Sequence, residues 1–283
     1  MKEIISRFIP DPFYIKRKFR RTMGYSLNLN NPKTFNEKLQ WLKIYNKNPK
    51  YTMMVDKYTA KKYVANTIGQ EYIISTIGIW EKFKNIDFDL LPAQFVLKCT
   101  HDSGGLVICQ NKDKLDISAT KKKIERSLRN NYYWSGREWP YKDVKPRIIA
   151  EKYIGDNLRD YKLFCFNGIP RITLVCSERF MSSGLKEDFY DESWNHLDIQ
   201  RPNHGNATSP IQRPNQYELM KILAAELSRD IPFVRIDFYE INGKVYFGEM
   251  TFYPASGFEG FIPEEWDMKL GEWLKLSSLK RAH

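Results

Sequence analysis

The spacing of apolar positions changes period several times along the chain. Thr34 and Glu37 form a capping box ahead of Phe35, Leu39, Trp41, Leu42 and Tyr45, a stripe at helical spacing. Similar spacing predicts helices over 56–66, over 119–131 with Ile124 and Leu128 on one face, and over 217–229. Between them, short apolar runs predict strands at 94–100, 106–110, 147–154, 161–166 and 171–177, with Asn167-Gly168 turning the chain before the last. Residues 233–240 and 244–251 read as a hairpin around Asn242-Gly243. From 182 to 215 the composition shifts to Asn, Asp, Ser, Pro and His, which predicts a long loop with Trp194 as an isolated anchor. Trp41, Trp80, Trp266 and Trp273 fall in helix-like contexts and are expected in the core. Hairpins in place of regular β-α-β alternation make this an α+β chain.

Composition narrows the class. A chain of 283 residues, 42% apolar, buries roughly three quarters of its unfolded surface, which excludes disorder. No apolar run approaches the roughly 20 residues of a membrane span. Lys2, Glu3, Arg7 and Pro10 interrupt the first apolar residues, so a secretory signal is not expected and a cytoplasmic location is. Cys99, Cys109, Cys165 and Cys176 lie in apolar runs without C-x-x-C spacing and are expected as reduced core thiols. The four histidines lack ligand spacing for zinc.

The net charge of +11 is unevenly placed: residues 1–62 carry 15 Lys and Arg against Glu3, Asp11, Glu37 and Asp56, while the remainder balances at 30 of each sign. Lys16, Arg17, Lys18, Arg20 and Arg21 stand beside Phe13, Tyr14, Ile15 and Phe19. Such a segment attracts an anion, whether nucleic acid, an anionic membrane surface or an acidic polymer, or is simply a solvated basic helix. No nucleic-acid-binding motif accompanies it, and nucleic acid is not expected as a partner.

Three segments carry candidate chemistry. In the last hairpin, Arg235 and Asp237 share one strand face and Glu249 and Thr251 share one face of the next. A two-residue loop at Asn242-Gly243 would set Asp237 opposite Gly248; an odd loop, or one bulge, places both carboxylates on a common face. The odd connection is expected. Two facing acids repel, so a cation between them is expected, and magnesium suits hard oxygen donors. The second segment, Lys98-Cys-Thr-His-Asp-Ser-Gly-Gly105, ends a strand in a lysine and opens into a small loop whose N–H groups can cradle phosphate. In it, His101 is either a substrate or phosphate contact or a loop-stabilising hydrogen-bond donor. The third is the apolar strand 148–154, interrupted by Glu151, whose partner is either a structural arginine or the amino group of a bound adenine.

The order of these segments resembles the TupA-like ATP-grasp family, whose members occur in bacterial surface-polysaccharide gene clusters. The resemblance begins at Asn31-Pro-Lys-Thr-Phe-Asn-Glu-Lys38 and Asp56-Lys57, and continues through Phe95-Val-Leu-Lys98, the 101–105 loop and Arg137-Glu-Trp-Pro-Tyr141. It then runs through Ile149-Ala-Glu-Lys152, Asp160-Tyr-Lys162, Val234-Arg-Ile-Asp-Phe238 and Phe247-Gly-Glu-Met-Thr-Phe-Tyr-Pro254. It implies an ATP-grasp fold with a basic helical region over 1–62, a small subdomain over 63–150 with the phosphate loop, and a second subdomain over 151–283 with the metal site.

By the same resemblance, Lys57 and Lys98 contact ATP phosphates under a loop of Ser103, Gly104 and Gly105. Glu151 and the backbone from Lys152 to Ile154 meet adenine, Asp160 lies near ribose, and Lys162 near phosphate or substrate. Asp237 and Glu249 hold Mg2+, with Thr251 where the superfamily commonly has asparagine, and Arg235 stabilises the transferred phosphoryl group. The implied reaction activates a carboxylate with ATP and passes it to an amine. Uronic-acid or amino-acid substrates, an acidic polysaccharide or membrane-bound glycolipid precursor, and a location peripheral to the inner membrane face are further expectations. Rival readings are an ATP-grasp phosphotransferase, a glycosyltransferase, or a glycan-binding module using Trp134, Trp139 and Trp194.

Overall fold

The computed structural model describes residues 7–156, 158–178 and 184–276. The chain forms two compact units, one of residues 49–156 and one of residues 1–48 with 157–283. The N-terminal helices thus belong with the C-terminal half, and 49–62, read from sequence with the basic region, belongs with the residues that follow it.

Two helices open the discontinuous unit: α1 (Asp11–Met23), which buries Ile15 and Phe19, and α2 (Phe35–Tyr45), which starts at the expected capping box. Thr34 Oγ1 accepts the Glu37 N–H at 3.2 Å, and Glu37 Oε2 accepts the Thr34 N–H at 3.2 Å. This pins Phe35 into a cluster of aromatic rings with Phe164, Phe166, Phe233 and Phe261, at centroid separations from 4.8 to 6.4 Å.

The continuous unit begins with α3 (Lys50–Val55) and α4 (Thr59–Ile68), where one helix over 56–66 is expected. Asp56 explains the break. Its side chain accepts the Tyr58 N–H at 3.0 Å and pairs with Arg147, holding an extended residue between the helices. Next come β1 (Thr76–Trp80), β2 (Phe95–Cys99), β3 (Leu106–Cys109), α5 (Ile117–Leu128), α6 (Tyr133–Gly136) and β4 (Ile148–Lys152). The strands form an antiparallel sheet in the order β1-β4-β2-β3. Trp80 is therefore a strand residue, not a helical one. Phe95, Leu97 and Cys99 alternate into a core closed by Ile124 of α5.

The rest of the discontinuous unit comprises β5 (Asp160–Phe166), β6 (Ile169–Ser177), β7 (Lys186–Asp191), β8 (His196–Leu197), α7 (Tyr217–Leu227), β9 (Phe233–Ile241), β10 (Lys244–Thr251) and α8 (Glu265–Trp273). Its six strands are antiparallel in the order β10-β9-β5-β6-β7-β8. The expected loop over 182–215 thus contains two strands. Its polar residues conceal them because they satisfy one another: buried Asp188 bonds to His196 Nε2 at 3.0 Å and to the Ala207 N–H, while Phe189 enters the core. Trp194 is not isolated, stacking on Tyr190 at 4.4 Å. Trp139 likewise stacks on Tyr51, and the Arg137 guanidinium covers Trp134 at 4.6 Å. All four cysteines are buried free thiols.

Candidate functional site

Each unit builds one cluster of the expected site residues. In the continuous unit, alternation along β2 turns Leu97 into the core and leaves Lys98 on the other face. Glu151, on neighbouring β4, is buried and ion-paired with Lys61 of α4 and with Lys98, whose Nζ lies 2.6 Å from Oε2. Its partners are thus two lysines and not an arginine. Burial alone would raise the Glu151 pKa, but the two ammonium groups leave it below the ordinary glutamate value. Lys61 also donates to Ile74 O at 2.7 Å and to Thr76 Oγ1 at 2.8 Å. It was missed in the sequence, although it stands four residues after Lys57.

Beyond Lys98 the chain turns through 100–105. Asp102 is buried; Oδ1 accepts the Gly105 N–H at 3.1 Å and Oδ2 accepts the Ser127 hydroxyl. Lys57 Nζ donates to Asp102 O at 2.5 Å. His101, 2% exposed, points Nε2 at Ser127 O and Asn130 O, 3.1 and 3.0 Å away, which is the loop-stabilising one of its two expected roles. Ser103 and Gly104 are exposed, and their N–H groups donate no hydrogen bond to the described residues. Gly105 is required sterically: a Cβ there would collide with Ser127 Oγ and lie 2.6 Å from Cys99 Sγ. At the end of β4 the Lys152 N–H bonds to Ser75 O, while Ile154, beyond the strand, makes no backbone hydrogen bond to the described residues.

In the discontinuous unit the site lies on β5, β9 and β10. The hairpin loop has two residues, Asn242 and Gly243 at φ 52° and 74°, with Ile241 paired to Lys244. The expected odd loop is absent because these two residues make the tight turn whose twist matches the strands. A bulge between Phe247 and Glu249 supplies the extra residue and sets Glu249 directly opposite Asp237. The residue left over is Gly248, where a Cβ would press within 3.1 Å of Asp237 O and the Tyr239 ring.

Arg235 occupies the centre of this face. Nε and Nη2 donate to the two Asp237 oxygens at 2.7 Å each, and Nη2 also reaches Glu249 Oε1 at 3.1 Å and Thr251 Oγ1 at 3.0 Å. Lys162 Nζ donates to Asp237 Oδ2 at 2.6 Å and lies 3.9 Å from Asp160, whose carboxylate accepts the Tyr239 hydroxyl. The Arg235 guanidinium thus bridges the two facing acids. Burial alone would lower the Arg235 pKa, but Asp237 and Glu249 raise it, fixing its charge.

The donor set suits magnesium. Asp237 and Glu249 are hard oxygen donors on one face, and an ion held by one or two carboxylates takes its remaining ligands from phosphate and water. The described residues contain no group of three His, Cys, Asp or Glu that could hold a metal without such help. Asp237, Glu249 and Thr251 all hold Arg235 already, and Thr251 fits less well than the two carboxylates because its hydroxyl carries no charge and also donates to Glu249 Oε1 at 3.4 Å.

Arg201 was also missed, because it falls in the segment read as loop. It is 5% exposed, donates Nη1 to Glu259 O at 3.1 Å, pairs with the Glu259 carboxylate at 3.7 Å and lies over the Phe261 ring at 4.4 Å.

The sequence model of a family described as TupA-like ATPgrasp matches residues 37–275. No curated protein matches the chain. Among solved structures, D-alanine-D-alanine ligase from Helicobacter pylori is 17% identical, with a TM-score of 0.46, over 78% of this chain and 60% of that one. The Bacillus anthracis D-alanine-D-alanine ligase complexed with ATP is 17% identical, with a TM-score of 0.40, over 70% of this chain and 53% of that one. The ATP-grasp ligase PsnB complexed with minimal precursor is 9% identical, with a TM-score of 0.42, over 72% of this chain and 53% of that one. The chain thus spans a little over half the length of these proteins.

Proposed function

Because the chain belongs to the TupA-like ATP-grasp family, we propose that it is an ATP- and magnesium-dependent carboxylate–amine ligase that forms ADP and an amide through an acyl phosphate. The observation that carries this reading is the bulge-set register of the last hairpin, which gathers Asp237, Glu249 and the Arg235 guanidinium on one face. Asp237 and Glu249 would hold magnesium, which when bound neutralises phosphate charge and polarises the transferred phosphoryl group. Arg235 binds the oxygens on which negative charge accumulates, a task suited to a rigid, permanently charged fork. Lys57 and Lys98 bind phosphate oxygens, and the exposed N–H groups of Ser103 and Gly104 add donors. His101 acts by fixing the loop. Glu151 and the unused backbone of Ile154 receive the adenine, Asp160 the ribose, and Lys162 orients Asp237 or a substrate anion.

The carboxylate is that of a uronic acid or amino acid, in the cytoplasmic stage of capsular or surface-polysaccharide synthesis. What supports this substrate class is the chain's membership of the TupA-like family together with the polysaccharide setting that the resemblance implies. The test is calorimetric ATP binding with and without magnesium, on the wild type and Glu249→Ala, followed by ADP release with paired acids and amines. Magnesium-dependent binding weakened by the substitution, and ADP release needing both co-substrates, are expected. ADP release with a hydroxyl acceptor alone would make it a phosphotransferase; binding of a nucleotide sugar in place of ATP would make it a glycosyltransferase.

A further inference from the structure

The excess positive charge of the chain finds a defined surface on α1. Ile15 and Phe19 bury one face of this helix, and Tyr25 packs edge-on against Phe19 at 5.1 Å. The opposite face carries Phe13, Lys16, Arg17, Arg20 and Arg21, spaced three and four residues apart, so they form one stripe about two turns long. All five are exposed, and together with Leu27 they line an open groove of about 700 Å³. None of the four cations has an acidic partner among the described residues.

Helix chemistry explains only part of this. Arg20 and Arg21 lie in the last turn, where cations complement the helix dipole. Lys16 and Arg17 lie earlier, and each faces a like charge four residues on, an arrangement that opposes helix formation. Two large aromatic side chains are also left in water at the same end, Phe8 at 84% exposure and Phe13 at 72%. Relief for both features comes from an anionic surface with an apolar layer beneath it. A soluble polyanion would satisfy the cations and leave the phenylalanines wet.

We propose that the outer face of α1 docks on an anionic lipid bilayer, with Lys16, Arg17, Arg20 and Arg21 on the headgroup phosphates and Phe8 and Phe13 inserted at the headgroup–acyl boundary. This contact is independent of the nucleotide reading. It would hold the protein at a membrane surface without a spanning segment; no helix among the described residues is long and apolar enough to cross one.

The experiment is co-sedimentation of the full chain with phosphatidylcholine vesicles containing phosphatidylglycerol, and with phosphatidylcholine alone. Partition is expected only with the anionic vesicles, and it should fall steeply as salt rises above physiological strength, where screening shortens the reach of surface charge. The double variant Arg17→Gln, Arg21→Gln should lose about thirtyfold in partition, from a worth of about one decade per 1.4 kcal/mol and about 1 kcal/mol per cation. Phe13→Ser should weaken partition without changing its salt dependence. Both variants change exposed side chains, and unaltered circular dichroism and ATP binding would confirm an intact fold. Absence of partition, or variants that partition like the wild type, would overturn the proposal. So would tighter binding of soluble polygalacturonate than of vesicles with no effect of Phe13→Ser, which would assign the groove to an acidic polymer.

Discussion

Glu151 shows at the residue scale how a charge is tolerated inside a sheet. The residue is 4% exposed and its carboxylate answers to two lysines, so removing its charge leaves two ammonium groups close together with their compensation gone. Glu151→Gln is expected to destabilise the protein by about 3 kcal/mol at neutral pH, measured by urea unfolding. The pH dependence follows from its lowered pKa. The folded state holds this proton less tightly than the unfolded chain, so the stabilisation is complete above the unfolded value of about 4.3 and disappears as pH falls through the lower folded value. The gap between wild type and variant should therefore close on acidification; a gap unchanged by acid would mean that Glu151 is not ionised in the fold. The identity of its partners was not legible in the sequence, because Lys98 comes from the neighbouring strand β2 and Lys61 from helix α4, ninety residues away, and only the fold brings them to Glu151.

Among elements, the phosphate-loop candidate and the last hairpin illustrate what pattern reading resolves. Neighbouring glycines at 104 and 105 look alike in sequence and differ in the fold. A Cβ at Gly104 would find only Asp102 Oδ2, at 3.7 Å, whereas one at Gly105 would strike Ser127 and Cys99. Gly105→Ala is expected to destabilise by about 1–3 kcal/mol, as overpacking does, and Gly104→Ala by less than about 0.5 kcal/mol, both by thermal unfolding. Equal effects would show that the loop is not held by α5 as described. In the hairpin, parity reasoning demanded one extra residue between Asp237 and Glu249. The structure places it at Gly248 within the strand and not in the loop, because Asn242-Gly243 already forms a complete turn.

Across the whole molecule, residues 1–48 belong to the same unit as 157–283. The tie is specific. Phe35 packs on Phe233 at 4.8 Å, the Asn36 N–H and amide donate to Asp267 Oδ1 at 2.9 and 3.0 Å, and Lys38 Nζ donates to Gly271 O and Leu274 O. Deleting residues 1–48 should therefore unfold the C-terminal unit, while residues 49–156, with their own apolar core, should retain cooperative unfolding when expressed alone. A folded 157–283 fragment, judged by amide hydrogen exchange, would contradict this.

Most of the strands, the capping box of α2 and the alternation that puts Arg235 with Asp237 were determined by the sequence alone, because period and turn chemistry are local. The break at Asp56, the strands within 182–215, the pairing of Glu151 with two lysines and the bulge at Gly248 were decided only by tertiary structure. Each depends on which distant group answers a polar side chain or occupies the space beside a backbone atom. Local period carries no information about either, since the same acidic or glycine residue reads identically in a loop, a cap or a sheet until its neighbours across the fold are in place.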